Sequence, residues 1–191
     1  MDAIDAALVE FGFPVGPITL LDEVGIDVGG KVASVLSEAF GSRMTPPESM
    51  RRVVVAGRTG RKGSSGFYRY DASGTKRAVD ETVYSVIGGE RRPIDKAEIA
   101  DRCVLAMLNE AARCLEEGIL RSPRDGDVGA VFGVGFPPFR GGPFRYMDSA
   151  GVSRIVERLE DLDVRFPKRF EPARLLADMA TAGRSFYSNS R

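Results

Sequence analysis

The sequence predicts an all-α protein made of two tandem, related helical domains. Apolar residues recur at spacings of three and four along most of the chain, and most of these segments end in glycine. A glycine–proline motif occurs twice, as GFPVGPITLLDEVG from residue 12 and as GFPPFRGGPFRYMDSAG from residue 135. Three matching pairs lie 126 positions apart: Pro17 and Pro143, Asp22 and Asp148, Gly25 and Gly151. Phe13 and Phe136 lie 123 positions apart, so the second copy has three extra residues inside the turn. We therefore expect a duplicated fold with pseudo-two-fold symmetry.

Composition removes several classes of function. The 191 residues carry 27 basic and 27 acidic side chains, a balance that gives no electrostatic reason to bind nucleic acid. There is no histidine, so serine–histidine and cysteine–histidine catalysis and histidine metal sites cannot be built from this chain alone. Any catalysis would therefore need carboxylates, lysines or a partner. The acidic pairs of the sequence are neighbours that diverge around a helix, so we predict no catalytic residue, and likewise no metal ligand and no cofactor-binding residue.

The chain shows no targeting signal. Its N-terminus has no basic region before an apolar core, and no apolar run reaches the roughly 18 residues of a membrane span. Cys103 and Cys114 fall in one predicted helix, roughly 16 Å apart at 1.5 Å per residue, which is too far for a disulfide. These features predict a cytoplasmic protein without a membrane span, with two free and mostly buried thiols.

The clearest helix is predicted over residues 94–118. Asp95 and Glu98 have the spacing of a capping box, an apolar stripe follows, and Gly118 ends the pattern. Within this helix, Asn109 is expected to make a polar contact with a neighbouring helix or, as the alternative, to face a substrate. Further helices are predicted over 2–11, 17–24, 28–40, 143–150, 153–163 and 172–182.

A second helix with clear boundaries is predicted from residue 45 to residue 57. Thr45 is placed to cap it, Pro46 suits its first position, Glu48 completes a capping box and Gly57 ends it.

The segment 58–92 interrupts the helical pattern. It is rich in glycine and polar residues, so we predict a connector between a first domain at 1–57 and a second at 93–187. Arg58, Arg61 and Lys62 lie among its glycines and are weak candidates for binding phosphate. The loop matches neither the P-loop nor the dinucleotide fingerprint, so a solvated connector is favoured over an anion site.

Each glycine–proline motif predicts a tight corner between two helices. Glycine stops the first helix, proline prevents its continuation, and the following Gly-Pro begins the next helix. Phe13 and Phe136 are expected to point into the core at these corners. Packing is favoured over ligand binding as the role of such a corner.

The two copies are unequal at their beginnings. The long helix at 94–118 precedes the second corner, whereas only a few residues precede Asp5, the residue that matches Asp127. We therefore expect the first copy to lack its long helix and to leave apolar surface exposed, as in a piece of a longer protein that begins within a domain.

Three motifs together point to a family. The stretches GRTGRKGSSGFYRY, ADRCVLAMLNEAARCLEEGI and DGDVGAVFGVGFPPFRGGPFRYMDSAG, in this order, resemble the C-terminal region of the bacterial fatty-acid oxidation complex α-chain. The resemblance spans residues 1 to about 187. It implies two tandem C-terminal domains of a 3-hydroxyacyl-CoA dehydrogenase, with a fold like the C-terminal domain of 6-phosphogluconate dehydrogenase.

The resemblance also implies what the parent protein does. Such proteins oxidise L-3-hydroxyacyl-CoA to 3-ketoacyl-CoA with NAD and join this activity to an enoyl-CoA hydratase. Their histidine–glutamate base lies in the NAD-binding domain, and no catalytic residue can be transferred to this chain. The implied partners are the acyl-CoA substrate, the parent's own NAD-binding domain and a thiolase subunit.

By resemblance, this module closes over the substrate, and its second copy replaces the partner subunit of single-function relatives. The first corner adjoins the NAD domain, so Phe13, Pro14, Gly16 and Pro17 are candidates to line the substrate site. Two alternatives stay open, a stand-alone acyl-CoA-binding module and a helical interaction scaffold. Without the NAD domain we expect no dehydrogenase activity.

Overall fold

The computed structural model describes residues 1–187, and the chain divides into two compact units. Unit 1 comprises residues 1–9 and 15–96, and unit 2 comprises residues 10–14 and 97–187. The described residues form ten α-helices and a two-stranded sheet: α1 (Asp2–Phe11), α2 (Pro17–Val24), α3 (Ile26–Phe40), α4 (Glu48–Val55), β1 (Tyr68–Tyr70), β2 (Lys76–Val79), α5 (Thr82–Ile87), α6 (Lys96–Glu116), α7 (Pro123–Val134), α8 (Pro143–Ala150), α9 (Val152–Arg165) and α10 (Arg174–Thr181).

Unit 1 is built around short helices with sharp joints. Pro17 begins α2 directly after Gly16, and Gly25 separates α2 from α3 with a φ of 103°, which is costly for any residue with a Cβ. The buried core draws on helices, loop and hairpin alike: Ile26, Val53, Phe67, Tyr68, Tyr70 and Val83.

The β-hairpin belongs to the core of unit 1. Strands β1 and β2 pair antiparallel, and Tyr68 and Tyr70 are buried while Arg69 between them is exposed, as expected for alternating strand residues. The turn is held by Asp71, whose carboxylate accepts hydrogen bonds from the backbone N–H groups of Ser73 and Thr75.

Unit 2 is a helical bundle with a larger core. Helix α9 packs against α10 and α8, and α7 packs against α8. The α6 residues Leu105 and Leu108 are buried together with side chains of these helices: Phe144, Met147, Ile155, Leu159 and Leu176. This apolar burial is the main source of stability for a unit of this size.

The all-α prediction is confirmed, with the hairpin as the exception. Helix α7 was not foreseen, because Gly126, Gly129 and Gly133 weaken its apolar pattern. The predicted cap of α4 was wrong: Pro47 is the cap residue, and the Thr45 hydroxyl donates to the Gly41 carbonyl instead. Two consecutive prolines move the helix start to Glu48.

The segment 58–92 differs from a connector. It contributes the hairpin, α5 and several core side chains to unit 1, whose second stretch runs to Lys96. Local composition did not predict this role in the core, because the many glycines and basic residues of the segment are typical of an exposed loop. The segment nevertheless contains three buried aromatic residues: Phe67, Tyr68 and Tyr70.

The two cysteines form no disulfide with each other, as expected, but each is half-buried rather than buried. Burial raises the pKa of the Cys103 thiol.

Candidate functional site

A buried carboxylate organises the first corner. Asp22, on α2, is completely buried and accepts hydrogen bonds from the backbone N–H groups of Phe67 and Tyr68, both at 2.9 Å, and from the Tyr70 hydroxyl at 3.1 Å. Burial raises the pKa of Asp22, and these donors act in the opposite direction. The carboxylate thus fixes the start of the hairpin against α2.

A second carboxylate holds the beginning of α2. Asp5, on α1, accepts hydrogen bonds from the backbone N–H groups of Ile18 and Thr19, at 2.8 and 3.0 Å, and from the Tyr68 hydroxyl at 2.8 Å. These N–H groups have no partner within the helix, and the positive end of the helix dipole favours an anion there. Asp5 therefore acts as a cap supplied by another helix.

Unit 2 repeats both arrangements. Asp127, on α7, accepts hydrogen bonds from the first-turn N–H groups of α8 and, at 2.6 Å, from the Tyr187 hydroxyl. Asp148, on α8, accepts the backbone N–H groups of Phe186 and Tyr187 at 2.8 and 2.9 Å. Each unit therefore ties two helices and a later Phe-Tyr pair together with two carboxylates.

The Phe-Tyr pairs were missed in the sequence. Phe67 and Phe186 are 119 positions apart, as are Tyr68 and Tyr187, so they do not share the 126-residue offset of the corners. The letters FY after a glycine-containing loop were the available signal. Burial and the Asp127 carboxylate raise the pKa of Tyr187 to about 12, so its hydroxyl remains a donor at neutral pH.

The candidate substrate-lining residues do not form one pocket wall. Phe13 is buried in an aromatic cluster of unit 2, with ring centroids 5.8 Å from both Phe11 and Phe136. The Arg140 guanidinium covers the Phe11 ring at 3.9 Å, and its Nε donates to the Phe11 carbonyl. Phe13 and Phe136 thus point into the core, as the sequence predicted.

Gly16 is buried in unit 1, where a Cβ would overlap the Asp5 carboxylate. Pro14 and Pro17 are exposed. Two of the four candidates thus have packing roles, and the two prolines remain accessible to a ligand.

The basic residues of the loop are paired within the chain. Arg58 forms a 3.0 Å salt bridge with Asp80, and both side chains are 10% exposed. Arg61 pairs with Glu23, and Lys62 pairs with Asp27. Their charges are already matched by carboxylates, which weakens the case for an anion site. The hydrogen bonds from Thr82 and Arg58 outweigh burial and lower the pKa of Asp80 to about 2.

Unit 1 carries an open groove between α3 and α4. It measures about 670 Å³, and its lining includes small and apolar residues: Leu21, Gly29, Gly30, Ala33, Met50 and Val54. Beside it, α3 exposes Val32 at 52%, Leu36 at 36% and Phe40 at 45%. We call Val32, Leu36, Phe40 and this groove the α3 face.

The same positions in unit 2 are covered by α6. Counting 126 residues on, Val32 corresponds to Arg158, which pairs with Asp101 of α6, and Phe40 to Phe166, whose ring lies under Arg102 of α6 at 4.2 Å. Leu36 corresponds to Leu162, which is buried. The α3 face is therefore the surface that a helix covers in the other copy.

Asn109 joins α6 to the segment that leads into α10. Its amide donates to the Glu171 carbonyl at 2.8 Å and accepts from the N–H of Ala173, the residue that caps α10, at 2.7 Å. The predicted polar contact is thus made with the backbone before a helix rather than with the helix itself. In unit 1 the residue that corresponds to Ala173 is Pro47, which has no N–H to donate.

Residues 1–187 contain neither a cluster of metal ligands nor the parallel sheet on which NAD sites are built. No group of three or more cysteine, aspartate or glutamate side chains among them could hold a metal ion. Their only sheet is an antiparallel hairpin, whereas NAD sites use parallel strands joined by helices, so these residues do not fit NAD. Within the same range, no helix combines the length and apolarity of a membrane span.

The chain is similar to known proteins over nearly all of its length. The model of the family "3-hydroxyacyl-CoA dehydrogenase, C-terminal domain" matches residues 1–70 and 99–189. Two proteins named fatty acid oxidation complex subunit alpha, from Shewanella loihica and Idiomarina loihiensis, are each 53% identical over 98% of the chain. The chain spans 27% of the length of each.

Solved structures have the same fold. The 3-hydroxybutyryl-CoA dehydrogenase of Escherichia coli matches 95% of this chain and 54% of its own, with a TM-score of 0.73 at 22% identity. The dehydrogenase part of multifunctional enzyme 1 of C. elegans matches 93% of this chain and 41% of its own, with a TM-score of 0.69 at 27% identity.

Proposed function

Because the chain belongs to the 3-hydroxyacyl-CoA dehydrogenase C-terminal domain family, we propose that it serves as the helical C-terminal module of a longer, NAD-dependent L-3-hydroxyacyl-CoA dehydrogenase of fatty-acid oxidation. The parent would oxidise the 3-hydroxyl of an acyl-CoA to a ketone in the cytoplasm. This chain would close the substrate site without supplying the base or the NAD site.

The exposed α3 face is the main structural support for this role. A stand-alone module would expose an apolar face and a groove of about 670 Å³, and such patches on globular proteins mark interaction surfaces. Unit 2 shows what such a cover looks like, because α6 pairs with α9 through Asp101 and Arg158 and binds the backbone before α10 through Asn109. We infer that the remainder of the parent provides such a helix to unit 1.

Pro47 removes one hydrogen-bond donor that the covering helix would otherwise find in unit 1. In unit 2 the oxygen of Asn109 is used by the Ala173 N–H. A matching amide over unit 1 would find no donor at Pro47, so its oxygen would be free for another partner, such as a substrate group or water. The covering helix would then differ in role from α6 while packing in the same way.

The first corner is the part of this chain proposed to reach the substrate. Pro14 and Pro17 are the exposed candidates, whereas Phe13 and Gly16 would hold the corner in shape. A contact with a thiolase subunit stays a prediction without a named surface.

Substitutions on α3 test the proposal in the full-length parent. Leu36→Glu would place a charge under the covering helix, at the position where unit 2 buries Leu162, and should destabilise the parent by about 2–4 kcal/mol. Val35→Glu is the matched control, because Val35 is 65% exposed and its counterpart Asp161 is exposed in unit 2. Equal melting temperatures for both variants would contradict a cover over the α3 face.

Turnover tests the activity separately. The parent should reduce NAD with 3-hydroxyacyl-CoA, followed by the absorbance of the reduced nicotinamide, whereas residues 1–191 alone should give none. Turnover by the 191-residue chain would refute the assignment. Binding of acyl-CoA by this chain without turnover in the parent would favour a stand-alone binding module, and no response to CoA esters would favour a scaffold.

A further inference from the structure

Helix α7 carries an exposed face that the corners do not use. Arg124, Val128, Val131 and Phe132 follow one another at spacings of four, three and one, so they form one stripe of the helix. They line an open groove of about 430 Å³ together with Pro138 and other residues of unit 2. We call these four residues the α7 face.

The α7 face is strongly apolar at its centre. Val128 is 51% exposed, and Phe132 is 87% exposed, the highest value among the large apolar side chains of the described residues. Contiguous exposure of this kind marks interaction surfaces, whereas single exposed residues do not. The groove beside Phe132 makes this a continuous surface.

Two arginines, Arg124 and Arg145, flank the groove. Arg124 and Arg145 form no salt bridge within residues 1–187, and the Arg145 guanidinium packs on the Tyr187 ring at 3.5 Å. The nearby Asp127 carboxylate already accepts three hydrogen bonds. The Arg145 charge acts electrostatically on Asp127, so the Arg124 charge is the one that remains available to an acidic partner.

The duplicated fold does not require this surface. Counting from the matching aspartates Asp5 and Asp127, Val131 corresponds to another valine, Val9. The other three residues of the face, Arg124, Val128 and Phe132, correspond to Asp2, Ala6 and Glu10. The same helix in the first copy thus has an acidic and less apolar side. The basic and aromatic character is specific to α7.

We propose that the α7 face docks onto an acidic-rimmed apolar surface of a domain elsewhere in the parent protein. The inference rests on one part of the proposed function, that the chain is a module of a longer protein. The curated relatives leave ample length for such a domain, because the chain spans only 27% of them.

The chemistry favours a protein surface over a small amphiphilic ligand. Phenylalanine and arginine are enriched at protein interfaces, where a protruding aromatic ring fills a pocket of the partner. A small-molecule site would instead surround its ligand, but Phe132 protrudes from the wall of the groove.

Thiol labelling of the full-length parent tests the docking. Phe132→Cys is compared with Val164→Cys, a matched position because Val164 is 83% exposed on α9 of the same unit. We expect Cys labelling at position 132 to be at least about tenfold slower than at position 164, followed site by site by mass spectrometry. Equal rates would overturn the proposal.

A charge variant sharpens the test. In the Phe132→Cys background, Arg124→Glu should raise the labelling rate toward that of position 164, whereas Arg154→Glu, at an exposed site on α9, should leave it unchanged. No effect of Arg124→Glu would overturn the acidic partner surface.

Other occupants give distinct results. Protection that disappears on dilution would assign the face to a second copy, and protection that requires added palmitoyl-CoA or laurate would assign it to a small amphiphile; either result overturns the proposal. Loss of turnover in an otherwise folded parent, with position 132 still protected, would reject the proposed function alone.

Discussion

Units 1 and 2 build their corners with the same groups but bury them differently. Asp22 is completely buried and accepts three hydrogen bonds, whereas Asp148 is half-buried and accepts two. The extra donor is Tyr70, which the hairpin of unit 1 places beside Asp22. The two corners therefore have the same local geometry, but the contribution of each aspartate to stability depends on the elements that bury it.

The helices that follow the two corners, α3 and α9, also differ in how deeply their side chains are buried. Helix α9 has large buried residues and is covered by α6, whereas α3 has Gly29, Gly30 and Ala33 at the positions of Ile155, Val156 and Leu159. The duplicated backbone is kept, while the side chains of the two faces have diverged. Each difference predicts a measurable asymmetry between the units.

The largest asymmetry is expected at the corner aspartates. Asp22→Ala would leave two buried N–H groups and a hydroxyl without an acceptor, so we expect unit 1 to lose about 3–5 kcal/mol. Asp148→Ala should cost about 1–2 kcal/mol, because its surroundings admit water. Denaturant unfolding monitored by hydrogen exchange in each unit measures both, and equal losses would contradict the comparison.

A second difference separates the corner glycines. A Cβ at Gly16 or Gly142 would overlap Asp5 or Asp127, but only Gly142 has a positive φ, at 102°. Gly142→Ala therefore adds backbone strain to the overlap and should cost about 1 kcal/mol more than Gly16→Ala. The melting temperatures of the two variants measure this difference, and Gly142→Ala should have the lower one. A larger shift for Gly16→Ala would show that contact with the carboxylate, and not φ, dominates.

Removing a tyrosine hydroxyl from either carboxylate cluster should have a smaller effect on stability. Tyr68→Phe leaves Asp5 with the two N–H donors and the Thr19 hydroxyl, whereas Tyr187→Phe leaves Asp127 with two N–H donors. Each loss should cost about 0.5–1.5 kcal/mol, the usual net value of one hydrogen bond. Tyr146→Phe, outside both carboxylate clusters, is the control. A change for the control as large as for either variant would remove the special role of these hydroxyls.

The smallest difference concerns acid stability. The folded-state pKa of Asp80 lies at about 2, below the ordinary value of 3.8, so its contribution is present above pH 3.8 and is lost as the pH falls toward 2. Hydrogen exchange of the hairpin and α5 should therefore accelerate between pH 4 and pH 2, after correction for intrinsic rates. Asp80→Asn should flatten this dependence, and Asp161→Asn, at an exposed site on α9, should not.

Much of the fold could be predicted from local signals. Glycine and proline placed the helix boundaries around both corners, and the 126-residue offset identified the duplication. The hairpin could not be predicted, because its strands are short and lie in a glycine-rich, basic segment. Helix α7 was missed for a related reason, since its three glycines weaken the helical pattern while tertiary contacts with α8 supply the stability.

The sequence predicted candidate residues at the corner better than their roles. It identified Phe13, Pro14, Gly16 and Pro17, but it could not show that Phe13 packs with Phe11 and Phe136. It identified Arg58, Arg61 and Lys62 but not their carboxylate partners, which lie 22, 38 and 35 positions away. Such pairings depend on the path of the chain.

The helical class, the duplication, the corners and the family could all be predicted from the sequence, because they depend on local backbone preferences and on the order of motifs. The structure was needed to show which carboxylates bind the Phe-Tyr pairs, which helix faces are exposed and which charged side chains are paired. The hydrogen bond between Asp5 and Tyr68, for example, joins residues 63 positions apart in the sequence. A contact between such distant residues produces no local periodicity from which it could be predicted.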